Sequence, residues 1–204
     1  MSIMVTGGAG YIGSHAVQRL LADGHRVVAV DNLFRGHREA IDNLSATAKD
    51  RLTFVCADVG DRDLIARLIA DHQVHTILHF AALAYVGESV TEPLRYYRAN
   101  TAAALGLLEA VDASHALPHG GVTKFVFSST CASYGEPARD QIPIRETCPQ
   151  SPINPYGWSK LHTERMLMDY NATCRVAGKP FSIACLRYFN VAGSDPAGII
   201  GEHH

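Results

Sequence analysis

The sequence predicts an α/β fold, a doubly wound parallel sheet flanked by helices. Three observations predict it. Short apolar runs alternate with helical patterns from residue 3 almost to the end of the 204-residue chain, as in βαβ units whose strands are covered on both faces. A glycine-spaced stretch, Gly7-Gly8-Ala9-Gly10-Tyr11-Ile12-Gly13, stands between the first apolar run and the first helical pattern. An acidic residue, Asp31, closes the second apolar run 18 positions after Gly13. Right-handed crossovers make such strands parallel and place ligands at their carboxyl ends.

The elements follow in order. A strand over 3–6 enters the glycine turn, and a helix over 11–22 leaves it. In a Rossmann-type turn the first glycine permits the sharp bend, the second lets the backbone approach a pyrophosphate, and the third lets helix and strand pack closely. Unpaired N–H groups and the positive helix end favour the anion. A strand over 26–30 then ends on Asp31, whose carboxylate can accept hydrogen bonds from ribose hydroxyls and repel a 2′-phosphate, favouring NAD over NADP. Arg35 and Arg38 stand close by and pull the other way. An aspartate that merely opens the polar loop 31–36 reads the same.

Next come a strand over 52–56, a helix over 61–72, a strand over 76–80, a long helix over 93–114, a strand over 124–127, a helix over 155–176 and a strand over 181–186. The informative residues sit at strand ends. Asp58 and Val59 follow the third strand, Ala81 and Ala82 the fourth, Ser128, Ser129 and Thr130 the fifth, and 187–190 the sixth. Pro149, Pro152 and Pro155 stiffen one loop ahead of a helix, which suits a wall beside a cleft. No internal repeat, low-complexity tract or linker divides the chain.

Bulk properties exclude several classes. The length suffices for one substantial core. A formal net charge of −2 gives no electrostatic case for nucleic acid or an anionic membrane. Cys56, Cys131, Cys148, Cys174 and Cys185 have no CxxC spacing and read as reduced, buried thiols of a cytoplasmic protein. No cationic stretch precedes an apolar one at the N-terminus, so no signal peptide is expected, and no apolar run approaches the roughly 18 residues of a membrane span. Among eleven histidines, His72 and His75 fall at a helix end and a strand start, His203 and His204 are terminal, and no zinc-like spacing occurs. No metal is expected.

Tyr156 and Lys160 are four apart at the start of a helix, on one face and about a turn from each other. A phenol of ordinary pKa near 10 is a poor base at neutral pH. A neighbouring ammonium and a cationic nicotinamide would both favour the phenolate. Such a tyrosine can take a proton from a substrate hydroxyl as hydride leaves the same carbon. The bland alternative is a half-buried tyrosine beside an exposed lysine. Thr130, at the end of the fifth strand, supplies a hydroxyl that could share the proton, although Ser/Thr runs also form ordinary turns. Glycine turn, strand-end hydroxyls and Tyr/Lys helix together are far more specific than any one alone.

With Asp31-Asn32-Leu33, His79-Phe80-Ala81-Ala82, Val86-Gly87-Glu88-Ser89, Tyr134-Gly135-Glu136-Pro137 and Leu186-Arg187-Tyr188-Phe189-Asn190, these motifs resemble the extended short-chain dehydrogenase/reductase family and, within it, the UDP-glucose (galactose) 4-epimerases. Ser-Ser-Thr-Cys-Ala-Ser-Tyr-Gly, with Ala84-Tyr85 ahead of Val86, is similar to the exopolysaccharide-type and UDP-arabinose-type branch. The resemblance implies NAD-dependent inversion at C4 of a UDP-sugar. Tyr156 deprotonates the 4-hydroxyl while hydride passes to tightly held NAD, the 4-keto sugar turns over, and hydride returns to its other face. Thr130 assists, and Lys160 holds the ribose and tunes Tyr156. Implied cofactor contacts are Gly7, Gly10, Tyr11, Ile12, Gly13, Asp31, Asn32, Asp58, Val59, Phe80, Ala81, Ala82, Asn100, Ser128, Tyr156, Lys160 and Tyr188. Implied substrate contacts are Ser129, Thr130, Tyr156 and Asn190.

Departures from the family pattern are Ala84, where many relatives carry a cofactor-contacting lysine, and Ala99, often asparagine. Family members also continue past this length by on the order of 100 residues. The resemblance therefore implies an NAD-binding domain with the catalytic residues over 1–190 and the start of a substrate-binding region over 191–204, the C-terminal substrate domain being largely absent. A nucleotide-sugar 4,6-dehydratase is the enzymatic rival, opposed by Cys131 and Ala132 where an acidic pair would follow the threonine. An NADPH-releasing reductase is opposed by Asp31. A non-catalytic NAD-binding fragment is the remaining reading. Helices over 93–114 and 155–176 are candidate homodimer surfaces, and the preferred sugar stays open.

Overall fold

The computed structural model describes residues 1–202; His203 and His204, with the end of the expected 191–204 region, lie outside the described residues. Six strands form one sheet: β1 (Ser2–Thr6), β2 (Arg26–Asp31), β3 (Leu52–Cys56), β4 (Thr76–His79), β5 (Lys124–Thr130) and β6 (Ser182–Tyr188). Their order is β3-β2-β1-β4-β5-β6, and all five pairings are parallel. The chain winds outward from β1 in one direction and from β4 in the other, so the crevice at their carboxyl ends is the switch point where doubly wound sheets bind ligands.

Helices cover both faces because strand side chains alternate. Met4, Val28, Ile77, Phe125 and Phe127 point to one face and pack with Ile65 and Ile69 of α3 (Arg62–Asp71), Leu107 and Val111 of α6 (Ala103–Ser114) and Leu167 of α7 (Pro155–Val176). Ile3, Val5, Val27 and Ala29 point to the other, against Val17 and Leu21 of α1 (Tyr11–Ala22) and Ile41 and Leu44 of α2 (Arg38–Ala48). Each such side chain removed from water contributes about 1.5–3 kcal/mol. Ile200 joins the second cluster, and Asn43 donates to the Ile199 carbonyl at 3.0 Å, so the chain after β6 folds back over α2. Among the described residues no helix is long and apolar enough to cross a membrane, and no group of three or more His, Cys, Asp or Glu side chains could hold a metal.

The expected strands and the helices at 11–22, 61–72 and 155–176 are present, with α3 capped by the Asp61 carboxylate, which accepts from Leu64 N at 3.0 Å. Four expectations need correction. Helix α2, and the short α4 (Val86–Thr91), were not anticipated. The helix over 93–114 is interrupted: α5 (Pro93–Tyr96) runs into a π-helical turn (Tyr97–Ala102) before α6. The extra residue of that turn coincides with buried Asn100, whose amide accepts from Leu83 N at 2.8 Å and donates to Leu83 O at 3.0 Å, pinning a loop to the helix. Strands β5 and β6 extend beyond their expected ends because Ser128, Ser129 and Thr130 continue the ladder opposite Leu186, Arg187 and Tyr188. Finally, the five cysteines are all free, but only Cys174 is buried; Cys56 is exposed, since it ends the edge strand β3.

Candidate active site

The glycine turn is built as backbone geometry demands. Gly7 has φ +70°, and a Cβ there would lie 2.6 Å from Ala81 N. A Cβ on Gly13 would lie 1.9 Å from Gly7 O, so any side chain would push α1 off β1. Gly10 meets only Gly7 O, at 3.3 Å, and a side chain on it would project into the space in front of the helix. No acidic residue stands in the first turn of α1, leaving its positive end for an anion.

A cleft of about 690 Å³ opens in front of this turn. Of the residues singled out in the sequence, Gly7, Gly10, Asp31, Asn32, Asp58, Val59, Phe80, Ala81 and Ala82 line it. Asp31 is buried, accepting from Ala9 N at 3.0 Å and Leu33 N at 2.8 Å. Burial pushes its pKa up while these backbone donors pull it down. Gly10 N–H also faces this carboxylate, and an ionised carboxylate has about four lone-pair sites, so at least one remains for a ribose hydroxyl. The same contacts make Asp31 a strut of the glycine turn, a role its position in sequence does not reveal. Asn32 donates to Asp58 Oδ2 at 3.3 Å, tying the ends of β2 and β3 together.

Tyr156, Thr130 and Lys160 meet at the ends of β5 and α7. Asn154 caps α7, its side chain accepting from Gly157 N at 2.8 Å, and Pro155 occupies the first turn. Burial holds the Tyr156 phenol pKa above its ordinary value, and the neighbouring Thr130 hydroxyl only partly offsets it. Lys160 is buried, donates to Ser128 O at 2.8 Å and lies 5.0 Å from the Phe127 ring centroid. Burial pushes its pKa down to about 7. For the protein alone the direction differs from the expectation that a neighbouring ammonium lowers the Tyr156 pKa: burial sets it, while Lys160 donates to the Ser128 carbonyl. Behind it, His79 bonds Thr6 Oγ1 through Nδ1 at 2.6 Å and stacks on Phe127. Burial, and then the nearby lysine, pushes its pKa down to about 3.

Other expected site residues lie elsewhere. Ser129 projects from the face of β5 opposite Thr130 and Ser128, and its hydroxyl donates to Glu164 rather than facing the sugar side. Asn100 is used up on Leu83 and Ser159. Tyr11 reaches the Gly193 carbonyl through its hydroxyl. Ile12, Gly13, Ser128 and Tyr188 do not line the cleft. Tyr188 stands opposite Thr130 in register, and Asn190 is exposed beyond β6.

Two clusters escaped the sequence. Fully buried Glu164 pairs with Arg187 at 2.8 Å, and Gln150, Ser129 and Tyr134 complete the network. At the cleft mouth, Glu88 receives Arg35 at 2.8 Å and the Tyr96 hydroxyl at 2.8 Å, while Arg95 stacks over Phe34. Phe34, Arg95, Arg98, Ala102 and Ala103 line the cleft unannounced, beside Arg35 and Ala99, which the sequence had singled out. The helical spacing 95, 98, 99, 102, 103 was the available signal.

Comparison with known proteins places this geometry among relatives. A profile described as the NAD dependent epimerase/dehydratase family matches residues 3–203. A probable UDP-arabinose 4-epimerase 3 of Oryza sativa subsp. japonica is 48% identical over 98% of this chain and 47% of its own length. The UDP-glucose 4-epimerase of Lacticaseibacillus casei is 44% identical over 100% of this chain and 56% of its own. The crystal structure of UDP-glucose-4-epimerase from Stenotrophomonas maltophila, with bound NAD and formylated UDP-arabinopyranose, superposes with a TM-score of 0.89 at 40% identity, over 100% of this chain and 57% of that one. The chain spans about half the length of the curated relatives it matches.

Proposed function

The chain belongs to the NAD dependent epimerase/dehydratase family, and from that premise we propose that it is the cofactor-binding and proton-transferring part of an NAD-dependent UDP-sugar 4-epimerase, an isomerase. The observation that carries the reading is the convergence of Tyr156, from the first turn of α7, and Thr130, from the end of β5, at the carboxyl end of the sheet that also holds the glycine-turn cleft. We assign residues 1–190 to NAD binding and catalysis, and the residues after 190 to the approach of the substrate.

The chain's own residues fit the dinucleotide. The bare Gly10 leaves a cradle in front of α1, Asp31 keeps an acceptor site for ribose, and Ala81 and Ala82 floor the cleft without side-chain bulk. NAD held there would supply a reversible hydride acceptor and a cationic ring. Tyr156 takes the proton from the sugar 4-hydroxyl and returns it, and Thr130 shares that proton. Because burial raises the phenol pKa, Tyr156 on its own is a proton donor at neutral pH; it becomes a base only when positive charge is brought beside it. Lys160 fixes the end of β5 and is the residue placed to turn toward a ribose.

Relatives named for UDP-glucose and UDP-arabinose suggest those sugar classes. Exposed Leu94, Leu105 and Trp158 on α5, α6 and α7 support a homodimer through these helices. Five free thiols suit the reducing cytoplasm.

The test is to incubate the purified chain with UDP-galactose and, separately, UDP-arabinose, and to resolve the C4 epimers. Opposite epimers appear without added NAD, and Tyr156→Phe abolishes them while leaving NADH binding intact. Normal turnover in that variant would refute the assignment. No product from a chain that yields NAD on denaturation supports the second reading, a cofactor-binding part inactive alone, which the half-length match to relatives favours.

A further inference from the structure

We propose that Arg98 is the counter-ion for the diphosphate of the bound dinucleotide. The inference rests on the reading of the cleft as an NAD site and adds a residue to it. Three cations line the cleft, Arg35, Arg95 and Arg98. Two are already compensated. Arg35 pairs with Glu88 at 2.8 Å, and Arg95 pairs with Glu92 at 2.9 Å and Glu88 at 3.4 Å. Among the described residues, Arg98 has no ion pair and no side-chain hydrogen bond.

The carboxylates across the cleft do not claim it. Asp31 is held by backbone N–H groups, Asp58 accepts from Gly60 N at 2.8 Å and from Asn32, and Asp61 caps α3. Placement in the sheet selects the diphosphate. In the order β2-β1-β4-β5, Asp31 ends β2, the glycine turn ends β1, and Tyr156 and Thr130 gather at the end of β5. A dinucleotide with its ribose on Asp31 and its reactive ring near Tyr156 therefore crosses the β1–β4 crevice with its diphosphate. Arg98 comes from the segment after β4, across that crevice from Asp31. The α1 N-terminus offers about half a unit charge against a dianion, so a full cation is wanted there. Ala99, Ala102 and Ala103 keep the surrounding wall short, so the exposed guanidinium has room to reach into the crevice, where its contact is sensitive to salt.

The experiment titrates the chain and Arg98→Ala with NADH, ADP-ribose, adenosine and UDP by calorimetry, at low and moderate salt. Arg98→Ala weakens NADH and ADP-ribose about ten- to a hundredfold, leaves adenosine unchanged and loses most of the salt dependence. Arg98→Lys recovers part of the affinity. Because Arg98 is exposed and unpaired, both variants melt with the parent. Equal NADH affinity in Arg98→Ala overturns the proposal, as does an equal loss for adenosine or a loss confined to UDP. Failure of the unmodified chain to bind NADH removes the cofactor reading itself, and the proposal with it.

Discussion

Lys160 keeps an ammonium in the interior with one carbonyl, Ser128 O, as hydrogen-bond partner. Its pKa falls from 10.5 to about 7, so between those values the unfolded chain binds a proton that the folded chain does not. Stability contributed by this group therefore rises with pH through that window, and the burial cost is felt in full below it. Lys160→Met removes the cost and the slope together. Its melting temperature exceeds the parent's at pH 7, and the two curves converge toward pH 10. Melts taken across that range check the sign, and parallel curves would show that the lysine is not titrating from the interior. The spacing of Tyr156 and Lys160 was legible as a shared helix face. Which way the long lysine chain turns was not, because its partner is a backbone carbonyl on a strand 32 positions away. The same limit hid the strut role of Asp31, whose partners are backbone amides of a turn.

Helix α7 and strand β6 are joined by the Glu164–Arg187 pair, with Glu164 at 0% exposure. Arg187 also donates to the Tyr134 hydroxyl at 2.8 Å, so one guanidinium ties the helix carrying Tyr156 to the turn after Thr130. Removing one partner strands a buried charge, and Arg187→Met costs about 3–5 kcal/mol. The double change Glu164→Leu with Arg187→Met removes both charges and recovers much of that loss, and urea denaturation of the three proteins measures it. A double variant no better than the single one would mean that the pair's worth is packing, not charge. At this scale the strands were legible because unbroken apolar runs bounded by glycine and polar residues admit few readings. Helix α2 was missed because its buried stripe, Ile41, Leu44 and Ala48, is sparse in a polar segment. The π-helical turn follows from Asn100 pairing with the Leu83 backbone, and the extended ends of β5 and β6 from pairing with each other. Both are tertiary causes that periodicity does not carry.

The whole sheet sets the division of labour within the chain. Every wall of the dinucleotide cleft comes from residues 7–103, on both sides of the β1–β4 switch point. The sugar side is different. Asn190 is exposed, Phe189 beside it is 61% exposed, and Leu186 on edge strand β6 is 38% exposed. On the proposed reading a UDP-sugar thus meets an exposed, partly apolar edge beside a smaller cavity of about 510 Å³ where the dinucleotide meets the main cleft, and small ligands bind in concave sites that bury most of their surface. The two ligands should separate by affinity. The chain binds NADH, and it binds UDP about a hundredfold more weakly, as the loss of two or three polar contacts predicts. Calorimetric titration of each ligand measures the difference. Comparable affinities would place a sugar-nucleotide surface within the described residues and overturn the assignment of 1–190 to the cofactor and catalytic half alone. A large gap would locate the missing recognition energy in groups that this sheet does not present, leaving the proton-transfer pair and the cofactor cleft as what it does present.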